Sequence, residues 1–249
     1  NGAINTTAVV TINGTANADV DVPISISAGG QMLLNGAITS GTGSVTLNSG
    51  DSDGIALTGA STITSTSGAV TFKDYINGAS TLTIDAGTGG IVFEQTIGAA
   101  TNLTTLTITK SGGTTFQENV TTDTSVVLTD TTDGENITFT GALVTPTLNT
   151  TDQGYNVNLH GGCTITNDTS FLNTGTTTIG NNAGDSSTFT GGLVATAGPV
   201  NIAGTVATTN TAMTLGATSQ TANSTLKSGE GAITVASMTG DFDLTLQSD

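Results

Sequence analysis

Apolar residues recur at every second position in short segments along the whole chain, and this alternation constrains the fold more than any other feature. Segments such as TLTID (81–85) and NVNLH (156–160) place Thr, Asn or Asp between and beside the apolar residues. A period of two is that of a β-strand with one buried and one solvated face. The doublets that show it are Val10/Ile12, Ile24/Ile26, Val45/Leu47, Ile55/Leu57, Val70/Phe72, Leu82/Ile84, Ile91/Phe93, Leu106/Ile108, Ile137/Phe139, Val157/Leu159, Thr177/Ile179, Val200/Ile202, Met213/Leu215, Ile233/Val235 and Leu244/Leu246.

Between the doublets lie clusters of Gly, Asn, Ser and Asp, which are typical of turns. No apolar pattern with a period of 3.6 residues persists for three helical turns, and the 34 glycines lower the helix propensity further. The sequence therefore predicts an all-β protein.

Related phrases recur at intervals of about 20 to 24 residues, which is the length of one coil of a solenoid. LTIDAG at 82–87 returns as LTITKSG at 106–112, ITFTGAL at 137–143 has a relative in STFTGGLV at 187–194, and MTLG at 213–216 is followed by ITVAS at 233–237. We expect one solenoid domain over residues 1–249, with some 11 coils and a length of roughly 50 Å. A Greek-key sandwich is the alternative. The low aromatic content, 4% of residues, suits a coil interior too thin for many rings.

The composition argues against two kinds of partner, nucleic acid and membrane. The chain has 3 basic and 19 acidic residues, a formal net charge of -16, and no arginine, since its basic residues are Lys73, Lys110 and Lys227. A surface for nucleic acid needs clustered cations that face phosphate groups, so no nucleic-acid partner is expected. At 35% hydrophobic residues, no membrane insertion is expected either. The single cysteine, Cys163, cannot form an internal disulfide.

Three stretches carry a family resemblance. Residues 96–116 (TIGAATNLTTLTITKSGGTTF), 184–217 and 225–248 resemble the strand repeats of filamentous-haemagglutinin-like and autotransporter-type bacterial adhesins. The resemblance implies a right-handed parallel β-helix that is exported to the bacterial cell surface, where the shaft has adhesive or biofilm roles. It transfers no functional residue, because the repeats of that family form a scaffold without a catalytic motif.

The predicted function is therefore structural and extracellular: the shaft of a surface adhesin, or the repeating subunit of a fibre. Uncapped solenoid ends are templates for another chain. The expected partners are further copies stacked end to end or further repeats of the same polypeptide, together with a ligand on a host or other surface.

A carbohydrate-active enzyme on a β-helix scaffold is the first alternative. The pairs Asp19/Asp21, Asp51/Asp53 and Asp241/Asp243 have a spacing that would put both carboxylates on one strand face, about 6 to 7 Å apart. However, the chain has no Trp, no Arg and only two Tyr to bind a sugar. His160 lies near Cys163, but a nucleophile pair needs an orienting group and an oxyanion hole as well. We expect no enzyme activity and assign no catalytic, cofactor-binding or metal-binding residue.

Two further ligand classes arise from the residue patterns. The turns NSGDSDG (48–54) and DTTDGEN (130–136) are rich in oxygen ligands, but they match no known calcium-binding spacing, so weak calcium binding is the most they indicate. Outward Thr pairs at 81/83, 105/107, 138/140 and 176/178 could form the lattice of an ice- or mineral-binding module. Their irregular spacing along the sequence argues against it, since a lattice needs strict register.

Overall fold

The chain folds as a parallel β-solenoid of about 12 turns with coils of about 21 residues. The computed structural model describes residues 2–18 and 21–247, and in these ranges it has 27 strands and no helix. The all-β solenoid predicted from the alternation and from the repeat length is thus confirmed, and the sandwich alternative is wrong.

The strands are short and follow one another through tight turns. The first nine are β1 (Gly2–Thr6), β2 (Val10–Asn17), β3 (Ile24–Ala28), β4 (Met32–Ser40), β5 (Val45–Ser49), β6 (Ile55–Leu57), β7 (Ser61–Ser65), β8 (Val70–Phe72) and β9 (Ile76–Asn77). The next nine are β10 (Thr81–Asp85), β11 (Ile91–Phe93), β12 (Leu103–Lys110), β13 (Thr114–Phe116), β14 (Val120–Leu128), β15 (Asn136–Phe139), β16 (Leu143–Thr145), β17 (Thr147–Asn149) and β18 (Asn156–Leu159). The last nine are β19 (Cys163–Ile165), β20 (Thr169–Phe171), β21 (Thr177–Ile179), β22 (Ser186–Phe189), β23 (Leu193–Ala195), β24 (Val200–Thr208), β25 (Met213–Lys227), β26 (Ile233–Thr239) and β27 (Leu244–Gln247).

Each coil passes along three faces, and strands on the same face pair in parallel with those of the coils before and after. Face 1 begins with the β1, β3, β5 and β8 ladder, face 2 with β2, β4 and β6, and face 3 with the second half of β4 followed by β7, β10 and β12. Long strands such as β24 and β25 turn a corner and serve more than one face. The coil axis is therefore the direction of strand stacking, and 12 turns at about 4.8 Å give a length of about 58 Å.

Coil length varies while the register between coils is kept. Val45 pairs with Val70, whereas Val200 pairs with Thr218, so the first of these two coils is the longer. The turns take up the difference: residues 129–135 connect β14 to β15, but only residues 111–113 connect β12 to β13. A side chain on a strand consequently has a fixed neighbour above and below, whatever the sequence distance.

The inward side chains form apolar columns along the axis, and these columns are the core. Phe72, Phe93, Phe116 and Phe139 follow one another on face 1, each almost completely buried. Their ring centroids are 4.8, 4.7 and 4.4 Å apart and the rings are within 10° of parallel. The interior thus holds one of these rings in each of four successive coils.

The recurring phrases have two structural meanings. Leu82 lies next to Leu106, and Met213 next to Ile233, so these phrases are true neighbours in the stack. The relatives at 137–143 and 187–194 are not, because Ile137 lies on face 1 whereas Ser187 lies on face 2. The same strand, turn and strand sequence is used at two different corners.

Candidate functional site

The outward residues of face 1 form a regular surface, which we call the face 1 strip. Its central column consists of Ser25, Thr46, Thr71, Val92, Thr115, Thr138, Asn158, Thr178, Asn201, Ser219 and Thr239. The column on one side consists of Pro23, Ser44, Ala69, Gly90, Gly113, Asn136, Asn156, Thr176, Pro199, Ala217 and Ser237. The column on the other side consists of Ser27, Asn48, Lys73, Glu94, Gln117, Thr140, His160 and Gly180.

Asparagine amides connect coils across this strip. Nδ2 of Asn158 donates to Oδ1 of Asn136 and to Oγ1 of Thr138, both at 3.2 Å. Nδ2 of Asn156 donates to Oδ1 of Asn136 at 3.2 Å and to the carbonyl of Gly134 at 2.8 Å. Stacked amides of this kind rigidify a parallel sheet. These asparagines were not predicted as functional residues. Their signal in the sequence is that the segments NIT (136–138) and NVN (156–158) each place an Asn directly before the first apolar residue of a buried doublet.

Of the Thr pairs predicted from the sequence, 81/83 and 105/107 fall into register, whereas 138/140 and 176/178 are shifted by two residues relative to each other. Thr81 and Thr83 lie directly next to Thr105 and Thr107 on face 3. Thr138 and Thr178 lie in the central column of the face 1 strip, with Asn158 between them. Irregular spacing in the sequence therefore does not prevent a regular surface, because the turns absorb the variation.

His160 and Cys163 occupy different environments. His160 follows the inward Leu159 at a corner, is partly exposed, and its backbone N–H donates to the carbonyl of Phe139 at 2.9 Å. Cys163 is inward on face 2, between Leu143 and Ser187 in the column, and 4% exposed. Burial raises the pKa of the Cys163 thiol to about 12, so the thiol is protonated at neutral pH and is a poor nucleophile.

The acidic pairs Asp51/Asp53 and Asp241/Asp243 lie in turns, which corrects the expectation that the members of each pair share a strand face. Oδ1 of Asp51 accepts the backbone N–H groups of Asp53 at 3.1 Å and Gly54 at 3.2 Å, so this carboxylate closes its own turn. Asp241 and Asp243 lie in the turn between β26 and β27. The hydroxyl of Thr42 donates to Asp21, whereas Asp19 lies outside the described residues.

Asp74 lies across from the 48–54 turn. Burial raises the pKa of the Asp74 carboxyl, the Tyr75 backbone N–H opposes this shift, and the nearby Asp51 charge adds to it.

Two carboxylates of the oxygen-rich turn at 130–136 make polar contacts within the chain. The Lys110 ammonium lies 3.0 Å from Oδ2 of Asp130, and the Asp133 carboxylate accepts the N–H of Gly154 at 3.0 Å. Within residues 2–18 and 21–247, no three His, Cys, Asp or Glu side chains lie together as a group that could hold a metal ion. Some of the carboxylate oxygens of both turns thus take part in hydrogen bonds or an ion pair within the chain, and weak calcium binding stays a prediction.

Three recesses of the surface are poor in titratable groups. One of about 690 Å³ is lined by Asn5, Thr6, Thr7, Ser27, Ala28, Gly29 and Gly50. Two others, of about 240 and 230 Å³, include one carboxylate each, Asp53 and Asp168. Hydrolysis of a glycosidic bond ordinarily uses two carboxyl groups on either side of the bond, and none of these three recesses brings two together.

Among the residues that the structure describes, no helix has the length and hydropathy needed to span a membrane. Comparison of the chain with protein-family models, with curated proteins and with solved structures gives no match.

Proposed function

We propose that this chain is a non-catalytic structural protein outside the bacterial cell, either the shaft of a surface adhesin or the repeating subunit of an extracellular fibre. The observation that supports this role is the continuity of the face 1 ladder, which pairs every coil with the next from β1 to β26. Such a body carries load along a row of stacked coils, and each coil contacts only its neighbours.

The partner that we propose for this role is another coil at each end. In the last described coil Leu244 is 39% and Leu246 is 60% exposed, although their columns are buried in the preceding coils; Ile4 in the first coil is 48% exposed. A further coil stacked there would remove these side chains from water and pair the open strand edges. That coil would come from further repeats of the same polypeptide or from a second copy.

Mechanical extension tests the shaft role. With the protein tethered near residues 2 and 247, we expect stepwise extension in which each step releases one coil, about 21 residues or about 70 Å of chain. The steps should appear only at forces well above those that extend an unfolded chain. Collapse of the entire protein in one event at low force would contradict a load-bearing shaft.

Polysaccharide digestion tests the enzyme alternative. We expect no release of reducing ends from a panel of neutral and acidic polysaccharides. Release that is lost in Asp51→Asn or Asp243→Asn, with the fold retained by circular dichroism, would overturn the non-catalytic assignment.

A further inference from the structure

We propose that the face 1 strip is a lateral docking surface for a second copy of this chain, so that two solenoids pack side by side, face 1 against face 1. The proposal goes beyond the shaft role, because it concerns the flank of the solenoid and not its ends. It rests on the charge, the regularity and the area of the strip.

The charge of the strip is balanced in a strongly acidic protein. Its charged residues are Lys73 and Glu94, whose side chains lie 3.7 Å apart as an ion pair. The chain as a whole has a formal net charge of -16, so two copies repel each other over most of their surfaces. Within the three columns Glu94 is the one carboxylate, and it is paired; the Glu135 carboxylate lies at the edge of the strip, beside Gly113.

The central column of the strip is regular along its length, and the register shift between Ile202 and Gly204 lies beyond it, at the corner of face 1. Its central column continues through eleven successive coils from Ser25 to Thr239. Face 3 has register shifts between Ile84 and Asp85 and between Leu103 and Thr105. On face 2, Ile97 is joined to the coils on either side by isolated bridges and not by a strand.

The side chains of the strip suit contact between two sheets. Thr, Ser, Ala, Gly and Asn are small, and in parallel register they repeat at the spacing of the coils, about 4.8 Å. Paired sheets with small, uncharged side chains in such register interdigitate in dry interfaces. The amide contacts of Asn136, Asn156 and Asn158 already order this surface in the single chain.

The area is sufficient for a specific dimer. Eleven coils span about 50 Å, and columns two residues apart cover a width of about 14 Å in the eight coils that have all three columns and about 7 Å in the other three. The strip therefore offers about 600 Å² per copy, or about 1,200 Å² in total, above the roughly 1,000 Å² expected of a specific interface. The same strip on both copies gives a contact that closes at two chains.

Sedimentation equilibrium of matched charge variants tests the proposal. Thr71→Glu/Thr115→Glu puts two carboxylates on the strip two coils apart, and Thr62→Glu/Thr107→Glu puts two carboxylates on face 3 two coils apart. We expect the unaltered protein and the face 3 variant to dimerise, more strongly at an ionic strength of about 0.5 M because screening weakens the overall repulsion. We expect the face 1 variant to weaken dimerisation by at least tenfold. Association through the ends would persist in both variants, which separates this proposal from the stacking proposed above.

Cysteine cross-linking provides a second readout that tolerates a small loss of stability. Thr138 lies near the middle of the strip, so Thr138→Cys should form a disulfide-linked dimer under mild oxidation. Thr107→Cys on face 3 should not. The native Cys163 is buried and should not cross-link in either variant. An unaltered protein that stays monomeric at high salt, or equal effects of the two Glu variants, would overturn the proposal. A monomer that shows thermal hysteresis lost in Thr71→Glu/Thr115→Glu would overturn it as well, and would assign the strip to ice.

Discussion

At the scale of single residues, the four stacked phenylalanines show how a regular core arises from a variable sequence. Phe72, Phe93, Phe116 and Phe139 occupy the same inward position of successive coils, and the coil spacing brings the rings into parallel contact. Offset-stacked or edge-to-face aromatic pairs add about 0.5–1.5 kcal/mol beyond the burial of their area. Each inner ring has a ring on both sides, so its removal disturbs three coils.

Phe116→Ala should lower the free energy of unfolding by about 3–5 kcal/mol, because it leaves a cavity between Phe93 and Phe139. Urea unfolding followed by circular dichroism measures the change. The matched control is Phe242→Ala, whose ring is 47% exposed and should cost less than about 1 kcal/mol. Equal losses in the two variants would contradict the ladder as a source of stability.

Cys163 predicts a pH dependence. Because burial raises the pKa of its thiol from 9.0 to about 12, the unfolded chain releases this proton at lower pH than the folded one. The contribution to stability is present below pH 9 and is lost as the pH rises toward 12, by up to about 1.4 kcal/mol per pH unit.

The measurement for Cys163 is the free energy of unfolding between pH 8 and 11 in the unaltered protein and in Cys163→Ala, since other groups titrate equally in both. The difference between the two proteins should shift steadily in favour of Cys163→Ala above about pH 9. Parallel curves, or rapid alkylation of the folded protein at pH 7, would show that the thiol is not buried as described.

At the scale of the strand and the turn, the sequence predicted most elements with two apolar inward residues; of the elements with one, it predicted β21 but missed others. β3, β5 and β10 are visible as doublets, but β7 buries Ser61 and Ser65 on either side of Ile63, and β20 buries Thr169 beside Phe171. A buried hydroxyl can donate a hydrogen bond to a nearby backbone carbonyl, as the hydroxyl of Ser65 does to Gly43. At a corner, a polar residue in the sequence is therefore no sign that its side chain points outward.

The turns depend on glycine where the chain approaches the coil before it. Gly87 has a φ of 56°, and a Cβ there would meet the carbonyl oxygen of Thr66; Gly134 has a φ of 82°, but a Cβ there would meet open space. Gly87→Ala should therefore cost clearly more than the roughly 1–2 kcal/mol of backbone strain expected for Gly134→Ala.

Thermal unfolding of these two variants beside Gly184→Ala tests the ranking, since the Cβ at Gly184 also meets open space. Gly184→Ala should change stability by less than about 1 kcal/mol in either direction. If Gly134→Ala proved as costly as Gly87→Ala, close approach between coils would not be the reason for glycine at position 87.

At the scale of the whole molecule, the architecture was predictable and the functional surface was not. The repeat length of the phrases indicated a solenoid, because strands of one coil must meet those of the next. The face 1 strip could not be predicted in the same way, since its members lie at unequal distances along the sequence and align only after the turns have absorbed the difference. Thr46 pairs with Thr71 across a long coil, for example, whereas Asn201 pairs with Ser219 across a short one.

Removal of one complete coil tests whether the register between coils is kept independently of the distance along the sequence. Deletion of residues 91–113 brings Thr114 into the place of Ile91 next to Val70, and Val120 into the place of Ile97 next to Ile76. The shortened protein should fold, with a solenoid shorter by about 4.8 Å in small-angle X-ray scattering. Deletion of residues 91–101 should instead prevent cooperative folding, because it brings a face 1 strand against a face 3 strand.

The turns of unequal length, 129–135 after β14 and 111–113 after β12, also bear on how such a gene can change. Recombination between two out-of-phase repeats adds or removes whole coils, and a small insertion at a corner leaves the columns intact. A lineage can thus alter the reach of the protein without having to re-evolve its interior, while its corners diverge freely.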